Sequence, residues 1–326
     1  MAEKKNNADR RIGKKVPLTP EQKEHRQIAR RERFKEQLPL HIILLPGVIA
    51  TLIFSYAPMY GVLMAFQNYS PKKGIWGSKW VGMKHFERLL KLPDFYDLLR
   101  NTLIIAVVKI ATLLFFALLL ALLLNEVRKK KLRSGIQALM IFPHFLSWII
   151  LGGLLRTVLD KEGFVNDVLV SLGLEPIYFL GDDTWFIIIL IISNLWQEAG
   201  FSAILYTAAI AGINQNLYEA AEIDGANRWQ QVWHITLKSI KPFIILMIVL
   251  NIGNILNAGF DQIFNLYNGL VLDVADVIDT YVYRVGLYSG QFSFGTAVGL
   301  FKSVIAVILI GISYKLADKF ANYRIF

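Results

Sequence analysis

The sequence predicts an all-α integral membrane protein with six transmembrane helices. Of its 326 residues, 55% are hydrophobic, a larger share than soluble globular domains usually carry. Several apolar runs reach the roughly 20 residues that an α-helix needs to cross about 30 Å of hydrocarbon. A soluble core can bury one such helix but not several, so we assign the chain to the multi-pass membrane proteins.

The apolar runs divide into six predicted spans, of which the third is the least regular. Its interruptions are Pro143, His144 and Arg156, and a proline removes a backbone donor and bends a helix. In chain order, the predicted spans are 41–63, 102–124, 136–158, 185–210, 243–264 and 294–314.

The distribution of Lys and Arg predicts the side of the membrane that each loop faces, because cytoplasmic loops carry an excess of both. With the N-terminus inside, the inner segments hold 23 of these residues and the outer segments hold nine. We therefore predict an N-in and C-in topology, which agrees with an even number of crossings. The outer loop 67–100 is also basic and contains Trp76 and Trp80, which is typical of an interfacial segment.

The polar, basic tail 1–37 is expected to be cytoplasmic and to precede a six-helix membrane domain at 38–326. Because the first apolar core begins only near His41, the beginning of the chain is not typical of a cleavable signal peptide. We expect the first span to act as an uncleaved insertion signal. Two interpretations of the tail stay open, a surface helix on anionic headgroups and a solvated tail.

The sequence carries no pattern typical of catalysis or metal binding. It has no cysteine, so thiolate metal sites and disulfides are excluded, and its five histidines are scattered without the spacing of a ligand cluster. The string 295–303 has the wrong spacing for a phosphate-binding loop. No nucleic-acid motif accompanies the net charge of +10, which comes mainly from the tail and inner loops. We predict no catalytic residue, no metal site and no nucleic-acid partner.

A polar segment between the fourth and fifth predicted spans is suited to contact with another protein. Glu219–Ala220–Ala221 predicts a helical turn with small side chains, and Gly225 permits the backbone conformation that ends it. A stripe at helical spacing then follows, which can fill a groove of a partner or fold back on the chain's own helices. The stripe consists of Trp229, Val232, Trp233 and Thr236.

This segment resembles the EAA loop of binding-protein-dependent ABC importer permeases. The loop pattern is E-A-A, three residues, G, nine residues and I-x-L-P, with Lys238 in place of the proline. Further similarity, over 80–86, 143–148, 196–200 and 276–284, extends to maltose-type carbohydrate permeases. Within that group, the chain resembles the branch for oligosaccharides from complex polysaccharides, such as alginate, aldouronate and rhamnogalacturonan fragments. The matching loop residues are Glu219, Ala220, Ala221, Gly225, Ile235 and Leu237.

The resemblance implies a type I ABC importer subunit in a bacterial cytoplasmic (inner) membrane. Its implied partners are a second homologous permease, an ATPase dimer on the inner side, an extracytoplasmic solute-binding protein, an oligosaccharide and membrane lipid. The chain itself would be no enzyme and would hold no cofactor, because ATP and Mg belong to the ATPase subunits. A coupling loop at about 213–242 would dock in the ATPase. The residues implied in coupling are Glu219, Ala220, Ala221, Asp224, Gly225, Ile235 and Leu237.

Polar residues inside the predicted spans are costly and indicate a translocation path. The fifth predicted span has polar residues three or four positions apart, which places them along one helical face. Amide and carboxylate groups suit sugar hydroxyls, and indole faces suit sugar rings; the alternative is hydrogen bonding between helices. The candidate path residues are Asn194, Trp196 and Glu198 in the fourth predicted span and Asn251, Asn254, Asn257 and Asp261 in the fifth.

Three other functions stay open at this point. A permease for peptides or amino acids would also carry an EAA loop. An ion-coupled secondary transporter would require inverted repeats and broken half-helices, which the sequence does not suggest. A membrane scaffold or receptor would need neither the amide row nor the coupling loop.

Overall fold

The computed structural model describes residues 20–321, which are helical apart from one short hairpin and the connecting loops. The chain divides after Gly61 into two compact units. In the first unit, an α-helix (Pro20–Thr51) continues as a π-helical turn (Leu52–Tyr56). The side chains of residues 37–60 are exposed, which suits contact with lipid. Residues 1–19 of the predicted tail lie outside the described residues.

The second unit begins with the last residues of a 3-10 helix (Ala57–Phe66) and an antiparallel hairpin of Gln67–Asn68 and Lys79–Trp80. This hairpin lies in the predicted interfacial loop. The ring of Trp80 stacks on Phe66 at 5.6 Å between centroids. The loop's helices are Gly74–Gly77 and Lys84–Leu90.

Five helices in residues 20–321 are long and apolar enough to cross a membrane, and one bent helix pair brings the number to six. This agrees with the six predicted crossings. We number them as spans 1 to 6 in chain order. The spans are Gln37–Phe66, Phe95–Glu126, the bent pair Lys130–Phe145 and Trp148–Val158, Asp183–Ala211, Arg228–Ile252 and Phe292–Lys315.

Span 3 is bent by 98°, whereas the sequence predicted one crossing over 136–158. Its α-helix (Lys130–Ile141) gives way to a 3-10 turn (Phe142–Phe145) that contains the buried Pro143. Because proline cannot donate the helical hydrogen bond, the helix ends there. Ser147 then caps a new helix (Trp148–Val158) by accepting a hydrogen bond from the backbone N–H of Ile150.

Span 5 differs from its prediction at both ends. It begins at Arg228 and ends at Ile252, and a separate helix follows at Phe260–Leu266. Gly259 has a left-handed φ of +90°, which redirects the backbone before that helix. The prediction that the asparagine row shares one helical face is therefore wrong: Asn251 lies in span 5, Asn254 and Asn257 lie in the break, and Asp261 lies in the next helix.

The core forms where spans 2 and 4 pack together with the break of span 5. Small residues permit the close approach of helices in membranes, and Ala117, Ala121 and Ala203 are fully buried between spans 2 and 4. Span 4 also packs closely against span 3, because a Cβ added at Gly200 would lie 1.9 Å from the carbonyl O of Met140.

The helix of span 6 continues to Ala321. The remaining helices are Phe164–Ser171, Gln215–Ile223, Leu272–Ala275, Ile278–Tyr281 and the π-helix Val282–Tyr288.

Candidate coupling loop and translocation path

The coupling helix (Gln215–Ile223) has a defined beginning and end. The side chain of Asn214 accepts a hydrogen bond from the backbone N–H of Asn216 at 3.0 Å, as expected of an N-cap. At the other end, Gly225 has φ +79°, and the N–H of Ala226 donates to the carbonyl of Ala221 at 2.9 Å. These are the contacts of a Schellman C-cap, so Gly225 ends the helix as predicted.

The outer face of the coupling helix is open. Glu219, Ala220, Asp224 and Gly225 are exposed, and Ala221 is half-buried. The sequence interpretation missed Ile223, whose side chain is 88% exposed. A large apolar side chain that exposed is suited to burial against a partner, and its position four residues after Glu219 is the signal that identifies it.

The coupling helix is attached to the inner end of span 5. The hydroxyl of Tyr218 lies 2.8 Å from the hydroxyl of the buried Thr236. Asn227 and Gln230 form a capping box at the first turn of span 5, and the amide of the buried Gln231 donates to the carbonyl of Ala226. These contacts attach the coupling helix to the first turns of span 5.

The predicted aromatic stripe is divided between two environments. Trp229 and Trp233 stack with centroids 6.4 Å apart and remain exposed, whereas Thr236 is buried. Ile235 and Leu237 are half-buried. The tryptophans and Leu237 line an apolar groove with residues of span 2, namely Phe115, Leu118, Leu119, Leu122 and Leu123.

Span 4 separates the candidate path residues onto two faces. Asn194 and Glu198 are four residues apart and share a face, where Glu198 lies 3.1 Å from Nδ1 of His144. The ring of His144 stacks on Phe201 at 4.2 Å. Trp196 instead lines an apolar groove with residues of spans 2, 3 and 4, namely Phe116, Leu120, Ile136, Leu139, Met140, Pro143, Ile192, Leu195, Ala199 and Gly200.

Three of the four candidate residues predicted for the fifth span are exposed. Asn254, Asn257 and Asp261 are exposed, and the side-chain oxygen of Asn257 accepts a hydrogen bond from the N–H of Gly259 at 3.2 Å. Asn251 is half-buried, and its amide donates to the carbonyl of Met247 in its own helix. The other residues of the chain therefore leave these three polar side chains uncovered.

An aromatic cluster beside Asp261 was missed by the sequence interpretation. The ring of Phe264 lies 4.8 Å from Tyr283, 5.2 Å from Phe260 and 6.0 Å from Tyr267, between centroids. All four rings are partly exposed. The spacing of Phe260, Phe264 and Tyr267 along one helical face is the signal that the sequence offered.

Two ion pairs lie close to span 6. Nζ of Lys302 lies 2.6 Å from Oδ1 of Asp279, so the charge of this lysine is balanced within the chain. Asp276 pairs with Arg284 and accepts a hydrogen bond from the Thr280 hydroxyl at 2.7 Å. Burial raises the pKa of the Asp276 carboxyl, and the hydrogen bond from Thr280 and the charge of Arg284 oppose that increase.

Comparison with known proteins identifies the class of this membrane protein. The family model for the binding-protein-dependent transport system inner membrane component matches residues 113–323. The chain therefore belongs to this family and is a multi-pass permease of the inner membrane, as the loop at Glu219 predicted.

Two relatives and two solved structures match most of the chain. The polygalacturonan/rhamnogalacturonan transport system permease protein YteP of Bacillus subtilis (strain 168) is 44% identical over 89% of this chain and 91% of its own. Protein LplB of the same organism is 44% identical over 88% of this chain and 91% of its own length.

A bacterial ABC transporter involved in import of the acidic polysaccharide alginate matches with a TM-score of 0.81 and 39% identity. This match covers 89% of this chain and 98% of that one. The alginate transporter in complex with an alginate pentasaccharide-bound periplasmic protein matches with a TM-score of 0.80 and 39% identity. This match covers 88% of this chain and 96% of that one. Both structures confirm the permease fold.

Proposed function

We propose that this chain is one of two permease subunits of an importer that moves an oligosaccharide into the cytoplasm. Fragments of acidic polysaccharides are the first candidates. The observation that carries the proposal is the similarity to the alginate importer, at a TM-score of 0.81 over 89% of the chain. A relative that is 44% identical is named for polygalacturonan and rhamnogalacturonan transport, which supports the same substrate class.

The ATPase subunits are proposed to bind the exposed face of the coupling helix and to supply the driving force with ATP and Mg. The chain itself is proposed to hold no cofactor. Glu219, Ala220 and Ile223 offer a small, partly apolar contact surface. The bond between Tyr218 and Thr236 passes a rigid-body displacement of this helix to span 5. ATP binding and hydrolysis would then alternate the side from which the path is accessible.

The translocation path is proposed to run beside Glu198 and past the break of span 5. Asn254, Asn257 and Asp261 offer amide and carboxylate groups for sugar hydroxyls. The partly exposed rings of the aromatic cluster offer faces for the apolar sides of sugar rings. Trp196 faces the apolar groove, so its proposed role shifts from the path to packing against lipid or the second permease.

The proposal is tested by purifying the chain with its ATPase and second permease in lipid, and by measuring ATP hydrolysis with the solute-binding protein. We expect hydrolysis to rise only with binding protein loaded with an oligosaccharide. Glu219→Lys should abolish the rise, and Glu175→Lys, the same change at an exposed position outside the coupling helix, should retain it. Uptake driven by an ion gradient without any ATPase would overturn the proposal.

A further inference from the structure

Lys109 lies in the middle of span 2 with only 6% of its surface exposed. Its Nζ donates to the carbonyl of Ala258 at 2.7 Å and to Oε1 of Gln262. Among the side chains that the structure describes, no carboxylate forms an ion pair with this lysine. A cation inside a membrane is costly unless it is strongly hydrogen-bonded. These two acceptors therefore stabilise the Lys109 side chain at this position.

Gln262 extends this contact to span 4. Its side chain is 1% exposed, and Nε2 donates to the carbonyl of Leu190 and to the hydroxyl of Ser193, both at 2.8 Å. The Ser193 hydroxyl in turn donates to the carbonyl of Ile189. Lys109, Gln262 and Ser193 thus form one buried network, which we call the latch.

The latch stabilises the backbone in the break after span 5. Carbonyls beyond the end of a helix lack intrahelical partners, and such groups must be satisfied within the protein in a bilayer. The Ala258 carbonyl receives its partner from Lys109. Gly259 follows with φ +90°, and a Cβ added there would lie 3.0 Å from Nζ. Glycine at position 259 therefore leaves room for the Lys109 side chain next to the backbone of the break.

We propose that Lys109 is a positioning residue of the translocation path. Through Ala258 and Gln262 it keeps the segment 253–259 unwound and so directs Asn257 and Asp261 toward the saccharide. The inference rests on the proposed function for the identity of the solute. Each of the two exposed polar residues directly precedes a residue that Lys109 contacts, Asn257 before Ala258 and Asp261 before Gln262. Loss of the latch would then move both residues without removing any group that contacts solute.

The first test uses the absence of cysteine from the natural chain. A single Asn257→Cys or Asp261→Cys change is made in the full complex in lipid, and its reaction rate with an impermeant maleimide is measured. We expect Lys109→Met to change both rates by at least about fivefold, as coupling through a shared network allows. A Ser289→Cys reporter on an exposed loop should keep its rate.

Thr112→Val is the matched control in the same helix. The Thr112 hydroxyl donates only to carbonyls of its own helix, so its loss should leave the reaction rates at both reporters unchanged. If Lys109→Met prevents assembly, Ser193→Ala removes the hydrogen bond from Gln262 and the bond to the Ile189 carbonyl, and it should shift the same two rates in the same direction. Unchanged rates in an assembled Lys109→Met or Ser193→Ala complex would overturn the proposal.

The second readout separates positioning from general stability. We expect Lys109→Met to lower saccharide uptake per ATP while the amount of assembled complex and the half-saturating concentration of loaded binding protein stay as in the wild type. Gln262→Leu should have the same effect, and the double variant should add little to either. Equal uptake per ATP in all variants would contradict the proposal. If the unmodified complex transports no saccharide, the proposed function fails, and the thiol rates still decide on the latch.

Discussion

The hydroxyl groups of Tyr218 and Thr236 lie 2.8 Å apart and join the coupling helix to the start of span 5. Thr236 is 1% exposed and lies in the π-helical segment Val232–Thr236. Such segments often occur at functional sites in helices. The two residues are 18 positions apart, so the bond links the two helices across the loop between them.

Tyr218→Phe should therefore weaken coupling without unfolding the chain. The bond is partly buried, and a typical intramolecular hydrogen bond contributes about 1 kcal/mol, which corresponds to a roughly fivefold effect. We expect ATP hydrolysis stimulated by loaded binding protein to fall by about that factor, with assembly retained. Thr236→Val also removes the 3.5 Å bond from this hydroxyl to the Gln231 carbonyl, so it should lower the stimulated hydrolysis at least as much. An additive loss in the double variant would show that the two hydroxyls act separately.

Gly225→Ala should lower coupling for a different reason. A side chain at φ +79° is strained by roughly 1 kcal/mol, so the end of the coupling helix should rearrange. We expect reduced stimulated ATP hydrolysis, and a milder loss for Gly225→Asn, since asparagine tolerates this conformation. Gly212→Ala, at φ −80°, is the matched control. Equal activities of the two alanine variants would show that the cap does not set the geometry.

Gly200→Ala should prevent spans 3 and 4 from packing. The added methyl group would lie 1.9 Å from the Met140 carbonyl O, and a backbone atom in a packed core cannot yield without displacing its helix. We expect little assembled complex after detergent extraction, measured by size-exclusion chromatography. Gly153→Ala, where nothing lies within 4 Å of the added atom, should assemble normally. Normal assembly of Gly200→Ala would mean that this approach is not needed.

The sequence predicted those features that are determined by neighbouring residues. The coupling helix ends at Gly225 because a glycine there permits the left-handed conformation, and the irregularity of span 3 follows from Pro143. The 98° bend was not predictable, because the residues around Pro143 do not reveal the packing of Met140 against Gly200 in span 4. Local signals gave the position of a break but not its angle.

The break of span 5 could not be predicted from local spacing. Asn251, Asn254 and Asn257 are three residues apart. This spacing fits a continuous helix as well as it fits a broken one. The helix ends at Ile252, and the unwound backbone that follows accepts a hydrogen bond from Lys109 at the Ala258 carbonyl. These two residues are 149 positions apart. A contact between such distant positions has no signature in the sequence of either segment. In the aromatic cluster, the spacing of Phe260, Phe264 and Tyr267 is a local signal, whereas the contact with Tyr283 from another helix has none.

Phe264→Leu should test whether the aromatic cluster takes part in translocation. Leucine keeps the apolar character but removes the ring, and an aromatic contact contributes about 1 kcal/mol beyond burial, a roughly fivefold effect. We expect the half-saturating saccharide concentration for uptake to rise by about that factor, with assembly unchanged. The control is Phe115→Leu, at a 62% exposed ring in span 2. If both variants take up saccharide as the wild type does, the rings of the cluster pack only against each other and the path runs elsewhere.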